Sequence, residues 1–367
     1  MRHTLALAAL LLTTFAFAQT QPPAAPSPEK TSGAAPQQKL AAGLDTAREN
    51  VHIGEIDLFG YAGLDVEKVR VALPIHEGQE LSLNEMFAQS HKTKDAVKQI
   101  TGHPATDVAT VCCDDNGHWM IYIGLQGSSI KNFAYNPGPK GAARLPSAAM
   151  ELEKQSEDAH SKAVLRGDNG EDDSKGYSLS SDPDSRAKQL AIREYTLQHE
   201  DLVREVLESS ADVEQRQAAA EFLGYADQSQ KQIDSLARAS RDADSKVRNN
   251  ATRALAVLAG SSAKVAALIP PAGFIEMLSS GSWTDRNKGT FLLLGLTKTR
   301  DPKLLAQLRA QAMPALIEMA RWRAPGHAAS SRILLGRIAG MEEATLLKMA
   351  GQNNQAEAII RAAQNTK

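Results

Sequence analysis

The sequence predicts an α+β protein, in which a small β-α-α-β-β module precedes an all-α array of helix pairs. The array is predicted by a phrase that occurs three times: an Asp, an Arg within four residues, a small residue three positions after the Arg, and a Leu seven after it. The arginines are Arg216, Arg248 and Arg286, spaced 32 and then 38 residues apart. Such a period is typical of repeats that bury their apolar faces by stacking on each other. The module is predicted by two alternating apolar runs around Asp115-Asn116-Gly117, a strong hairpin turn.

Residues 1–18 have the features of a secretory signal peptide. A short cationic start is followed by an apolar run and by Ala16-Phe17-Ala18, so cleavage is expected between Ala18 and Gln19. A membrane anchor is the alternative, but the apolar run is too short to span ~30 Å of hydrocarbon. We therefore expect an exported protein, periplasmic or secreted, with no transmembrane segment in the mature chain. Residues 19–45 are rich in Pro and Ala and predict a disordered linker.

Residues 46–128 predict the α/β module. The signals, in order, are a strand over 51–58, a helix capped by Asp65, a second helix that begins at the capping box of Ser82 and Glu85 and ends at Gly102, and a hairpin of strands 108–113 and 119–125. The apolar phase of the first strand slips at Gly54, which predicts either a bulge there or a strand that begins after it.

The order of these elements, with the phrase Ile53…Ile56-Asp57-Leu58…Gly60…Val66…Val69…Leu73…Glu77-Gly78…Leu81-Ser82, resembles a POTRA domain, the polypeptide-transport-associated module of the bacterial periplasm. The resemblance implies the fold of this module and a habit of binding polypeptides. A POTRA domain usually precedes an outer-membrane barrel or a division-protein segment, and no barrel strands follow in this sequence.

Residues 129–180 predict a connector with an acidic loop. The run Asp168 to Asp173 is Gly-broken and carboxylate-rich, which raises the alternative of a calcium site. An EF-hand needs an oxygen-bearing side chain at its third position and Gly at its sixth, and here those positions are Gly170 and Asp173. The loop is therefore predicted to be a solvated linker.

Residues 181–367 predict four to five helix pairs, beginning where Asp182 caps a helix and Pro183 takes its first position. Later helix starts are predicted at Asp301-Pro302 and Met313-Pro314. The repeated phrase, best kept over 244–259, resembles the HEAT repeat in its short bacterial variant, also seen in phycobilisome-lyase-like proteins. The resemblance implies that the repeated Asp and Arg serve the repeat structure; a row of arginines facing a ligand is the alternative. The unit at 326–339 lacks the Asp, and neither of its arginines is in the position of the phrase, as in an atypical terminal repeat.

No catalytic motif is present. Deoxyhypusine hydroxylase resembles this architecture, but it needs several His-Glu pairs for two irons, and this chain has only His76-Glu77 and His199-Glu200. The H-E-x-x-H, G-x-S-x-G and P-loop motifs are also missing. We therefore predict no catalytic residue, no metal, no cofactor and no enzymatic activity.

The two cysteines are adjacent, Cys112 and Cys113. The favoured interpretation is a pair of small strand residues with one side chain inward. A vicinal redox switch and an intermolecular disulfide are the alternatives. The net charge of −2 excludes a strong electrostatic preference for nucleic acid.

These observations predict a monomeric, exported adaptor or scaffold of the cell envelope that binds a protein partner. One predicted binding mode adds a strand to the edge of the first strand, at Glu55, Asp57 and Phe59. The other uses a groove lined by the second helix of each pair, with Arg238 and Arg241 as candidate contacts. A secreted lyase or hydrolase with an unrecognised site, and a purely structural envelope protein, are the alternatives.

Overall fold

The computed structural model describes residues 50–114 and 116–366. The signal peptide, its cleavage site at Ala18 and Gln19, the linker 19–45 and the turn residue Asp115 lie outside the described residues. The strands are β1 (Asn50–Phe59), β2 (Glu80–Ser82), β3 (Asp107–Val111), β4 (Trp119–Gly124), β5 (Glu171–Asp172) and β6 (Leu179–Ser180). The helices are α1 (Val66–Ala72), α2 (Leu83–Thr101), α3 (Ser147–Leu165), α4 (Pro183–Ser209), α5 (Val213–Leu223), α6 (Gln230–Ala239), α7 (Ser245–Ser261), α8 (Ala263–Ala266), α9 (Ala272–Met277), α10 (Trp283–Leu296), α11 (Pro302–Ala320), α12 (Pro325–Ile338), α13 (Glu343–Ala350) and α14 (Ala356–Asn365). A short 3-10 turn, Asn353–Gln355, precedes α14.

The larger sheet has the strand order β2-β1-β4-β3. The central pair, β1 and β4, is parallel, and β2 and β3 are antiparallel to their neighbours. The register of β1 against β4 shifts between Ile53 and Ile56, which confirms the predicted irregularity around Gly54. The predicted caps also form. Asp65 accepts from the backbone of Lys68, Ser82 and Glu85 make a reciprocal capping box, and Gly102 ends α2 in the left-handed region.

The two faces of this sheet belong to two different apolar cores. One face packs against α1 and α2, where Ile121 and Ile123 meet Val69 and Met86. The other face belongs to the same core as the array and carries Phe59, Ala109, Val111, Met120 and Tyr122. The sheet and the helical array are therefore packed as one body.

The described residues of the array form four successive helix pairs, α4–α5, α6–α7, α9–α10 and α11–α12, and the terminal helices α13 and α14 both pack on α12. Within it α5, α7, α10 and α12 stack side by side, and most of their side chains are buried. They are buried on both faces because α3 and the sheet cover the face that the other helices leave open. The groove is predicted to be lined by the second helix of each pair, near 229–240, 264–279 and 303–323. In the structure these segments are α6, α8–α9 and α11, the first helices of their pairs, and α5, α7 and α10 line the covered face.

Prolines account for the other differences from the predicted helices. Pro314 lies inside α11, so the predicted start there is wrong; the buried neighbours Ala312 and Ala315 hold the helix together across the missing donor. The segment 264–279 is predicted to be one helix, but it is interrupted before Pro270 and Pro271 and forms the short α8 and α9. The segment α4 is predicted as two helices, one with Leu190 and Tyr195 and the next with Leu202 and Val206, and the non-helical backbone of His199 divides it into two helical segments as predicted. In the described part of the chain, no helix is both long and apolar enough to cross a bilayer.

Candidate polypeptide-binding site

A buried arginine joins each of α5, α7 and α10, which we call the inner helices, to an acidic residue of the next repeat. Two guanidinium nitrogens of Arg216 and of Arg248 donate to one carboxylate each, over 2.8–3.0 and 2.8–3.1 Å, and Arg286 donates once over 3.0 Å. The pairs are Arg216 with Asp242, Arg248 with Asp285, and Arg286 with Glu318. Their side chains are almost fully buried, so loss of either partner would leave an uncompensated charge. These arginines hold the repeats together, which confirms the structural role that the resemblance implied.

The same arginines fix the turn that precedes each inner helix. Arg216 donates to the carbonyl of Ser210 over 2.9 Å, Arg248 to that of Asp242 over 2.9 Å, and Arg286 to that of Ser280 over 2.7 Å. Because the turns are held by interactions of one kind, they present backbone groups in the same way from one repeat to the next. We call the turns at 209–211, 238–242 and 279–280 the turn edge.

The chain's own residues 129–141, which we call the strap, lie along the turn edge and contain neither helix nor strand. The backbone N–H of Lys131 donates to Ser279 over 3.0 Å, that of Asn136 to Arg241 over 2.6 Å, and that of Gly141 to Ser209 over 2.7 Å. The carbonyl of Gly141 also accepts from Ala211 over 2.8 Å. Successive contacts are five residues apart on the strap and one repeat apart on the array. As the strap proceeds toward its C-terminal end, it contacts progressively earlier repeats of the array.

Two aromatic rings of the strap lie under arginines of the array. The Arg241 guanidinium lies 4.8 Å from the ring centre of Phe133, and the Arg248 guanidinium lies 4.1 Å from that of Tyr135. The Tyr135 hydroxyl donates to Asp285 over 3.4 Å, and burial raises the pKa of this tyrosine. Cation–π contacts of this kind add side-chain selectivity to the backbone hydrogen bonds.

The structure brings together the two predicted groove residues, Arg238 and Arg241, at the strap. The Asn136 side chain donates to the carbonyl of Arg238 over 3.1 Å, and Arg241 donates to the carbonyl of Ala134 over 3.2 Å. Arg241 also pairs with Glu276 over 2.5 Å. Both arginines therefore contact a polypeptide segment, and in this structure that segment is the protein's own strap.

The predicted free edge at Glu55, Asp57 and Phe59 is not an open edge, and this prediction is corrected. These residues belong to β1, which pairs with β4 on one side, and side chains of the array bond to the backbone next to them. Arg323 donates to the carbonyl of Ile56 over 2.8 Å, and Gly60 donates to Glu318 over 2.8 Å.

Asp57 and Phe59 instead attach the sheet to the array. Asp57 is 3% exposed and accepts from the backbone N–H of Arg323 over 2.8 Å and from its Nε over 3.2 Å. Burial raises the pKa of Asp57, and Arg323 opposes that rise. Phe59 lies 5.0 Å from the Arg286 guanidinium. At the outer strand β3, which is buried along its length, Asp107 accepts from the backbone of Trp283 over 2.8 Å.

The cysteines differ from the favoured interpretation, because Cys112 and Cys113 are joined in a vicinal disulfide. Cys112 is buried beside Trp119 in the core under α1 and α2. Among the described residues, no group of three His, Cys, Asp or Glu side chains is arranged to hold a metal ion.

The sequence predicts a connector at Asn136-Pro137-Gly138-Pro139 and does not indicate that the strap binds to the array. The available signal was the pair of aromatic residues Phe133 and Tyr135 in that Pro- and Gly-containing stretch. Sequence reasoning also missed Arg332 in α12, which donates to the carbonyls of Ala320, Trp322 and Ala350 and thus fixes the terminal turns.

Fourteen chains of solved structures resemble this one. A crystal structure of an engineered protein aligns with a TM-score of 0.35 and 14% identity over 59% of this chain and 95% of its own. A designed armadillo repeat protein in complex with the peptide (KR)4 aligns with a TM-score of 0.33 and 12% identity over 59% of this chain and 98% of its own. No protein-family model and no curated protein matches the chain. At these scores the likeness carries no functional argument, so the description as a helical repeat array rests on the stacked helices and the arginine pairs.

Proposed function

We propose that the protein is an exported, non-enzymatic scaffold whose turn edge binds polypeptide segments in an extended conformation. The observation that carries this proposal is the strap itself, which donates one backbone N–H to each of three successive repeats at a spacing of five residues. Backbone hydrogen bonds place few demands on sequence, and the rings of Phe133 and Tyr135 add a preference for aromatic residues two positions apart.

The finer identity of the two parts belongs to the same proposal. We infer a HEAT-like array and a POTRA-like module, supported by the repeated Asp–Arg phrase and by the order of β1, α1, α2, β3 and β4. We infer a periplasmic or secreted location from residues 1–18. N-terminal sequencing of the protein recovered from the periplasm of a bacterial host tests this: a mature chain that starts at Gln19 supports export, and an uncleaved chain in the cytoplasm contradicts it.

The binding function is tested by supplying the strap as a separate peptide. The triple variant Phe133→Ser, Tyr135→Ser, Asn136→Pro removes both rings and one backbone donor from the strap and leaves the array intact. A fluorescent peptide of residues 129–141 should bind this variant, measured by anisotropy, and should bind the wild-type protein far more weakly because its own strap occupies the turn edge.

Two controls make the result specific. A peptide that carries the same three changes should not bind, and Arg241→Glu in the triple variant should weaken the unmodified peptide. If the peptide binds neither protein, the turn edge does not recognise polypeptides in solution, and a purely structural role is favoured instead.

A further inference from the structure

The C-terminal end of the strap is held by the array more closely than the rest of it. The N–H of Gly141 donates to the carbonyl of Ser209 over 2.7 Å, and the carbonyl of Gly141 accepts from the N–H of Ala211 over 2.8 Å. These two bonds pair Gly141 with Ser210 in the manner of a parallel sheet. Both backbone groups of this one residue are therefore used by the turn at 209–211.

This bridge leaves no room for a side chain at position 141. A Cβ atom on residue 141 would lie 2.6 Å from the carbonyl oxygen of Ser209 and 3.3 Å from its carbonyl carbon and its Cβ. Glycine is the residue that permits a backbone to approach another backbone so closely. Gly138 differs, because a Cβ atom there would meet nothing within 4 Å. Only the glycine at position 141 is therefore required by the space available.

The turn that faces Gly141 is held by the array and cannot easily retreat. Arg216 donates to the carbonyl of Ser210 over 2.9 Å and to that of Ala211 over 3.3 Å. Arg216 is itself fixed, because it forms an almost fully buried ion pair with Asp242. The first turn of the array is thus a rigid wall, so the segment that lies against it has to adapt.

The residues between Asn136 and Gly141 form a stiff spacer. They are Pro137-Gly138-Pro139-Lys140, and they are exposed or half-exposed. Each proline fixes one backbone dihedral, so the spacer has fewer conformations than an ordinary chain of the same length. A stiff spacer lowers the entropy cost of placing the aromatic rings and the glycine in their sites at the same time.

We propose that the ligands of the turn edge are segments of other polypeptides that carry two aromatic residues at alternate positions and a glycine six residues after the second. This choice of ligand depends on the proposed binding function of the turn edge and narrows it to one class of segment. The strap supplies the pattern, with Phe133 and Tyr135 under arginines and Gly141 in the bridge. The strap is then an internal competitor of the same class.

The glycine requirement is tested with fluorescent peptides of residues 129–143, in which position 141 is not terminal. The receptor is the full-length triple variant Phe133→Ser, Tyr135→Ser, Asn136→Pro. The Gly141→Ala peptide should bind this receptor about tenfold more weakly than the unmodified peptide, or worse, as measured by anisotropy. The Gly138→Ala peptide is the matched control, since it gains the same methyl group and loses the same freedom in the unbound state. It should bind within about twofold of the unmodified peptide.

The spacing of the rings is tested with a peptide of unchanged composition. Phe133→Ala combined with Ala134→Phe places the two rings next to each other, so both cannot lie under their arginines. This peptide should bind at least about threefold more weakly than the unmodified peptide.

The same glycine change should have the opposite effect when it is made in the protein. Gly141→Ala in the otherwise wild-type chain weakens the internal competitor, so the unmodified peptide should bind this variant at least about fivefold more tightly than it binds the wild type. Gly138→Ala in the protein should bind the peptide like the wild type. Circular dichroism should show both variants folded, because both positions lie outside helices and strands.

The outcomes separate the ligand class from the binding function. If the unmodified peptide binds the triple variant, but the Gly141→Ala peptide binds equally well or the Gly138→Ala peptide loses as much affinity, the glycine requirement is overturned and polypeptide binding stands. If the unmodified peptide does not bind the triple variant, both are overturned.

Discussion

Arg286 and Glu318 form a buried ion pair at the point where the array, the sheet and the strap meet. The guanidinium donates to Oε2 of Glu318 over 3.0 Å, and the same oxygen accepts from the backbone of Gly60 over 2.8 Å. The other oxygen, Oε1, accepts from the backbone of Ala62 over 3.0 Å and from the hydroxyl of Ser129 over 2.6 Å. One carboxylate thus pairs with the last of the three repeated arginines, accepts from the backbone directly after β1, and accepts from the first residue of the strap.

Glu318→Gln should therefore be strongly destabilising. A neutral amide offers one acceptor oxygen in place of two and leaves Arg286 buried without its counter-charge, which costs ~3–5 kcal/mol. Urea unfolding followed by circular dichroism measures the change. Glu67→Gln, at an exposed side chain on α1, is the matched control and should change stability by less than about 0.5 kcal/mol. Equal stability of the two variants would contradict the role assigned to Glu318.

Leu255→Ala should cost ~2–5 kcal/mol, because Leu255 is fully buried in α7 and its removal leaves a cavity between repeats. Leu268→Ala, at a half-exposed position, should cost much less. Amide hydrogen exchange should accelerate first in α5, α7 and α10, since coupling in an array passes between neighbours. Loss of protection that is even across the whole chain would argue against repeat-by-repeat stacking.

Stability should depend on Asp107 in a defined pH window. Burial raises the pKa of Asp107 to about 6, whereas the unfolded chain releases this proton at about pH 4. Between those values the folded state binds more protons than the unfolded state, so this group's contribution to stability is full below the window and is lost as pH rises through it.

Asp107→Asn removes this titration while keeping an acceptor for the backbone N–H of Trp283. The free energy of unfolding of the variant, relative to that of the wild type, should rise by on the order of 1–3 kcal/mol from pH 4 to pH 6. Above pH 6 this difference should stay constant. The free energy of unfolding, measured by urea titration at each pH, tests this. Asp95→Asn, at an exposed position on α2, should show no such gain.

An isolated 46–128 fragment should be less stable than the same residues in the whole protein. Removing the array exposes Phe59, Met120 and Tyr122, which belong to the shared core. We expect the fragment to bind a hydrophobic dye and to lose this binding when the 129–367 fragment is added. A fragment that folds with no exposed apolar surface would show that the sheet does not depend on the array.

Local chemistry explains what the sequence could predict. Asp65, the Ser82–Glu85 box and Gly102 act on the backbone beside them, so the helix ends could be predicted from the sequence. The repeats could be predicted because the arginines that join them recur at the period of the array. Contacts across the fold could not. Glu318 and Gly60 are 258 residues apart, and nothing in either segment marks them as partners. The strap has no periodic pattern because it is held mainly through its backbone.

The most direct test of the proposed scaffold is amide hydrogen exchange at Lys131, Asn136 and Gly141 in the native protein. These N–H groups donate to successive turns of the array, so the account predicts that all three exchange at least about a hundredfold more slowly than in an unstructured peptide. In the Phe133→Ser, Tyr135→Ser, Asn136→Pro variant, protection of Lys131 and Gly141 should fall while that of α7 stays. Exchange of Lys131, Asn136 and Gly141 at unstructured rates in the wild-type protein would show that the turn edge does not hold the strap, and would contradict the account.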